Sequence, residues 1–142
     1  EYNIRMGDPE CQVLMMRLKT DLLEIIDCAT RNKIKNLKIE WTKKSSITIV
    51  LCAKGYPYNY IKDSEIKNLS NVLTDENNQI FHAGTYEKNN KTYSCGGRVL
   101  SITSLSKSLS EARNKSLNNI NKINWPDGFF RKDIGWRIIN NK

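Results

Sequence analysis

The sequence predicts an α+β chain in two parts. One strand and a long helix over residues 1–35 end a first domain, and a small, mainly antiparallel β domain with a C-terminal helix fills residues 36–142. Three observations lead there. The first thirty residues pass from an alternating pattern to a helical one through Gly7-Asp8-Pro9, residues 46–103 carry short β-branched runs punctuated by Gly, Asn and Pro, and Ser108 opens a second helix. The two parts meet in the polar stretch 31–44, whose Ile34, Leu37, Ile39 and Trp41 suit a linker or a short amphipathic turn.

Each element follows from its residues. On an extended strand alternate side chains share a face, so Glu1, Asn3 and Arg5 point one way while Tyr2 and Ile4 point to the core. Gly7 permits a sharp bend, Asp8 can cap, and Pro9 fits the first helical position, where no backbone donor is needed. From Asp8 to about Thr30, Leu14, Leu18, Leu22, Ile25 and Ile26 form one stripe with Arg17, Lys19, Asp21 and Asp27 off it, which predicts a single long helix packed on something apolar. Ser46 to Ala53 reads as a buried strand ending in the aromatic turn Lys54 to Tyr60. Further strands are expected at Gln79 to Ala83, Thr92 to Cys95 and Arg98 to Thr103, with Asn89-Asn90 as a hairpin tip between the first two. Ser108 and Glu111 form a capping box, and the helix they open carries Leu109, Ala112, Leu117, Ile120 and Ile123 and stops before Pro126.

Composition bounds the function. The net charge of +8, from 23 basic and 15 acidic residues, admits an anionic partner, yet the surplus is scattered and Lys43-Lys44 is the longest basic run. Abundant Asn, Lys and Ile fit a compositional bias of the genome acting on neutral surface positions. No apolar run approaches the roughly 20 residues of a membrane-spanning helix. With no signal-peptide pattern and a first residue that is Glu, the chain is expected to be the carboxy-terminal part of something longer and cytoplasmic. Cys11, Cys28, Cys52 and Cys95 lie far apart and form no C-x-x-C pair, so reduced, largely buried thiols are expected, and with His82 as the sole histidine there is no zinc cluster to assemble.

Two places carry chemistry. A carboxylate and an amide oxygen, Glu1 and Asn3, suit a hard Mg²⁺ ion, and Arg5 beside them can hold phosphate oxygens that the metal also bridges. The alternative for these residues is a half-exposed edge strand with solvated polar side chains, and for Arg5 an ion pair with Asp8 or Glu10. Gly96-Gly97-Arg98 puts flexible backbone and a guanidinium at the start of a strand, which suits a phosphate-binding corner. Lys54, ending the first strand of the same domain, is a weaker candidate for the same anion, since a lysine at a strand end is usually solvated. His82, flanked by Phe81 and Ala83, is expected to be structural, and Tyr56, Tyr58, Tyr60, Phe129, Phe130 and Trp136 to pack in the core or between domains.

Five ordered motifs, Glu1 to Glu10, Lys54-Gly-Tyr-Pro57, His82-Ala-Gly-Thr85, Gly96-Gly-Arg-Val-Leu100 and Arg131-Lys-Asp-Ile-Gly135, resemble the carboxy-terminal third of the phosphoribosylamine–glycine ligase family of ATP-grasp enzymes. The resemblance implies that residues 1–35 end an ATP-grasp domain and that ATP phosphorylates glycine. The amine of 5-phosphoribosylamine then attacks the glycyl phosphate, giving glycinamide ribonucleotide, ADP and phosphate in purine synthesis. It implies Glu1 and Asn3 as ligands of Mg²⁺ (or Mn²⁺) and Arg5 as the group that stabilises charge during phosphoryl transfer. Asp8 and Pro9 fall where the amino acid binds, Asp8 either pairing with the glycine ammonium or serving only as a cap. By resemblance to sister ligases, Arg98 with Gly97 holds the 5′-phosphate. Met6 departs from the family's phenylalanine without consequence for function. The nucleotide-gripping upstream lobes fall outside this sequence, which is therefore expected to be inactive alone and to partner those lobes, with no nucleic acid or membrane partner. The rival readings are a basic nucleic-acid-binding module, and another ATP-grasp ligase or carboxylase sharing Glu1, Asn3 and Arg5.

Overall fold

The computed structural model describes residues 4–140 of the 142. A four-stranded antiparallel sheet has the order β3-β6-β1-β7, with β1 at Ser45–Ala53, β3 at Asn78–His82, β6 at Arg98–Ser106 and β7 at Gly128–Phe129. A second sheet has the order β2-β5-β4, with β2 at Glu65–Ile66, β4 at Thr85–Lys88 and β5 at Lys91–Ser94. The mixed α and β character and the antiparallel pairing agree with the reading of the sequence.

The alternation in β1 explains the layering. Ile47, Ile49, Leu51 and Ala53 are buried while the residues between them are half-buried, the period of a strand with one well-covered face. The first three pair with Ser104, Ile102 and Leu100 of β6, and Ser116 of helix α3, Leu109–Ile120, donates from its hydroxyl to that of Ser104 at 2.9 Å. Helix α3 therefore lies on this face. Every residue of β6 after Arg98 is buried, which requires cover on both sides, and helix α1, Glu10–Arg17, packs on β1 and β6 from the other. The core joins Ile49, Leu51, Ala53, Ile66, Val99, Leu100, Ile102, Ile120 and Trp125. Burying one such aliphatic side chain contributes about 1.5–3 kcal/mol.

Several expectations are corrected. The long helix is two: α1 ends at Arg17, and α2, Leu22–Thr30, starts afresh. Leu18 is extended and pairs with Trp41, because the backbone of the supposed linker runs alongside, Glu40 O accepting from Lys19 N at 3.0 Å and Arg17 O from Thr42 N at 2.9 Å. Asp21 then caps α2, accepting from Leu23 N at 2.7 Å, a cap signal hidden inside an uninterrupted apolar stripe. Neither α1 nor α2 carries a fully buried residue.

The strand expected at Glu1 to Arg5 lies mostly outside the described residues. Its last two positions, Ile4 and Arg5, form a bend, and Ile4 is fully exposed instead of facing a core. Asn89 and Asn90, both with positive φ, do form a two-residue tip, but it joins β4 to β5, while β3 pairs with β6. The strand β4 escaped notice because Thr85-Tyr-Glu-Lys88 has three exposed residues. Ser108 caps α3 by accepting from Glu111 N at 3.2 Å, whereas the Glu111 carboxylate accepts from Ser106 Oγ at 2.8 Å and does not reach back to the cap. A short helix α4, Trp136–Asn140, follows the last motif. The thiols are less buried than expected: Cys11, Cys28 and Cys52 are half-buried and Cys95 is exposed, all unpaired. No helix among the described residues is long and apolar enough to cross a membrane.

Candidate functional site

Arg98 is the first residue of β6 and the strand's single exposed position. Its place is fixed by backbone. A register shift between Leu51 and Cys52 puts Cys52 opposite Arg98, and Ala53 N donates to Gly97 O at 2.9 Å. Gly97 is required by contact: a Cβ there would lie 2.3 Å from the Tyr56 ring. Gly84 presses on the same corner, where a Cβ would meet the Arg98 carbonyl oxygen at 2.7 Å. Three of the motifs read from the sequence, those of Tyr56, Gly84 and Gly97, thus meet behind one guanidinium.

That guanidinium is paired. Arg98 Nη2 donates to Asp8 Oδ2 at 2.9 Å, and Nη1 lies 3.4 Å from Asp8 O. Asp8 does not cap α1: the N-cap residue is Pro9, and no side chain accepts there. Pro9 accordingly stands one position before the first helical residue. Four residues expected at the substrate site, Asp8, Pro9, Gly97 and Arg98, are thereby brought to one place across ninety residues of sequence.

Of the four, Pro9 alone lines a neighbouring pocket of about 340 Å³, together with Thr48, Val50, Cys52, Tyr56 and Phe129, among others. Its polar floor is satisfied, since Thr103 Oγ1 donates to Thr48 Oγ1 at 2.8 Å. Burial pushes the Cys52 thiol up, and the neighbouring Arg98 charge opposes that shift only in part. The thiol so held protonated is one wall of the pocket.

Other predicted residues stand apart from this pair. Lys54 is an exposed residue just past β1, tied through its backbone to Asp127 O at 2.8 Å and Ile61 N at 3.0 Å. Arg5 is exposed and donates to Met6 O at 3.0 Å, while Asp8, one of its suggested partners, is engaged by Arg98. Glu1 and Asn3 lie outside the described residues. Among the described residues no three His, Cys, Asp or Glu side chains cluster as a metal site. His82 ends β3, exposed, with Nδ1 2.9 Å from Thr85 Oγ1. Of the aromatics, Tyr60 and Phe130 pack on the core, Tyr56 packs on Gly97, and Tyr58, Phe129 and Trp136 are exposed. The reading of the sequence did not find Tyr56 or Gly84 as parts of the site, although both lie in motifs it had singled out.

Residues 46–137 match the family model described as the phosphoribosylglycinamide synthetase C domain. The chain is 43% identical over its whole length to a chloroplastic phosphoribosylamine–glycine ligase of Arabidopsis thaliana, covering 27% of that protein. It is 42% identical over 98% of its length to the phosphoribosylamine–glycine ligase of Brucella melitensis, covering 33% of it. Among solved structures, the phosphoribosylamine–glycine ligase of Thermotoga maritima is 32% identical and superposes with a TM-score of 0.70 over 94% of this chain and 32% of that one. The chain spans about a third or less of the length of these relatives.

Proposed function

The chain belongs to the phosphoribosylglycinamide synthetase C-domain family, and from that premise we propose that it is the carboxy-terminal part of an ATP-dependent ligase joining glycine to 5-phosphoribosylamine. In that reaction the glycine carboxylate takes the γ-phosphoryl group of ATP, releasing ADP. The amine of phosphoribosylamine then attacks the glycyl carbonyl, and phosphate leaves as glycinamide ribonucleotide forms. Such chemistry is limited by charge and alignment, so the groups needed are cations and dipoles held in place.

The observation that carries this reading is the convergence of Gly97, Arg98, Asp8 and Pro9 beside one pocket. Arg98 is assigned to the substrate's 5′-phosphate, a planar fork matched to phosphate oxygens, with Gly97 admitting the close approach. Lys54 contributes positive field at longer range. Glu1 and Asn3 offer a carboxylate and an amide oxygen, a hard donor set that fits Mg²⁺ or Mn²⁺. An ion held there would neutralise charge on the ATP phosphates, with Arg5 beside it stabilising the transferred group.

Residues 1–35 are read as the C-terminal end of an ATP-grasp domain, and residues 36–142 as the following β-rich domain. Leu22, Leu23 and Ile26 of α2 are exposed, as a helix face that packs on the upstream lobes would be. A cytoplasmic location goes with this reading. Family membership favours it over a nucleic-acid-binding module and over a different ATP-grasp ligase or carboxylase.

Glycine-dependent ADP release by a chain restored to the relatives' full length tests the proposal. Activity that needs both glycine and phosphoribosylamine is expected, depressed strongly by Glu1→Gln at low Mg²⁺. Turnover without a requirement for glycine would refute the assignment.

A further inference from the structure

We propose that Asp8 is the positioning residue for Arg98: its carboxylate fixes the guanidinium so that the remaining donors meet an incoming phosphate. The proposal rests on the phosphate role given to Arg98 above. Two local explanations for Asp8 fail. It is not a cap, because the N-cap of α1 is Pro9 with no side chain accepting. Nor is the pair built for stability, since its side chains are 41% and 51% exposed, and ion pairs that wet add little to folding.

Donor counting then decides between a competitor and an orienter. A guanidinium carries five N–H donors in a rigid fork. Asp8 takes one from Nη2 at 2.9 Å and at most one more from Nη1, toward its own carbonyl at 3.4 Å. Among the described residues the other three donors meet no acceptor, and the exposure of Arg98 leaves them within reach of a ligand.

The side chain is held at both ends. Its backbone is locked by Tyr56 against Gly97 and by the hydrogen bond from Ala53 to Gly97 O, and its tip by Asp8. A long side chain ordered before binding loses less freedom when the ligand arrives, which raises affinity without a new contact. The pair also ties the segment that leads into α1 to the start of β6.

Steady-state kinetics of the full-length ligase test this. Asp8→Ala is expected to raise KM for phosphoribosylamine about tenfold, the loss that goes with ordering one long side chain on binding. KM values for ATP and glycine should stay within about twofold. Asp8→Asn, nearly isosteric and still an acceptor, should raise the same KM only about threefold, since charge-assisted bonds are roughly twice as strong as neutral ones. In an Arg98→Ala background Asp8→Ala should add nothing further.

A rise confined to KM for glycine would give Asp8 to the glycine ammonium and overturn the proposal. So would full additivity of the two alanine variants, or an Asp8→Asn enzyme with unchanged kinetics. Arg98→Ala with an unchanged KM for phosphoribosylamine would instead overturn the phosphate assignment, and this proposal with it.

Discussion

At the scale of single residues, the corner behind Arg98 leaves no room. A Cβ on Gly84 would meet backbone at 2.7 Å, both at Arg98 O and at Gly96 Cα, and backbone cannot swing aside as a side-chain tip can. Gly84→Ala is expected to destabilise the fold by about 1–3 kcal/mol, the usual cost of overpacking, read as a lower midpoint in denaturant unfolding. Gly97→Ala meets the Tyr56 ring instead and should displace it, and with it the backbone that carries Arg98.

Asp75 offers a check on electrostatics. Its carboxyl is held below the usual carboxylate range, first by the backbone N–H of Asn77 at 2.8 Å and next by the Asn78 side-chain amide at 2.9 Å. A folded-state pKa below the unfolded one gives stability that is present above the unfolded value and lost as pH falls through the folded one. An NMR titration should therefore place the Asp75 midpoint below that of an unperturbed aspartate, and Asp75→Asn should flatten the acid limb of the stability profile.

Arg98 was legible because glycine pairs before a cation announce a backbone corner. Its partner was not: Asp8 lies ninety residues away, and no local pattern encodes a contact at that separation.

At the scale of elements, the tip of the β4–β5 hairpin has Asn89 and Asn90 at φ 51° and 58°. Positive φ at both central residues defines the primed turn that matches strand twist, with asparagine then glycine the favoured pair. Asn90→Gly is expected to raise stability by a few tenths to about 1 kcal/mol, seen as a higher thermal midpoint, because glycine meets no steric penalty there.

The strands β1 and β6 could be read from β-branched runs, and the cap of α3 from Ser108. The break between α1 and α2 could not. The apolar spacing runs on through Leu18, while the extended backbone of Leu18 is dictated by pairing with Trp41, a tertiary choice that overrides helical propensity. β4 was lost for the opposite reason, being too exposed to show a hydrophobic period.

At the scale of the whole molecule, burial is uneven. Sheet, α3 and core are closed, yet Leu23 of α2 is 75% exposed and Ile26 49% exposed, with Ile39 and Trp41 also uncovered. Exposed apolar side chains on a helix face mark a surface meant to be covered. Replacing Leu23 and Ile26 by Ser in the 142-residue chain should leave the thermal midpoint nearly unchanged and reduce self-association in light scattering, whereas in a full-length chain the same pair should lower stability.

The five motifs, spread over the chain, were legible as an ordered set. What they do jointly emerges only from the fold, which brings two of them to Arg98 and a third to its carboxylate partner. The most direct test of that assembly is KM for phosphoribosylamine in a full-length Arg98→Ala enzyme. A rise of about tenfold or more, with KM for ATP nearly constant, is the expected result. An unchanged value would contradict the assignment of this corner to the substrate phosphate.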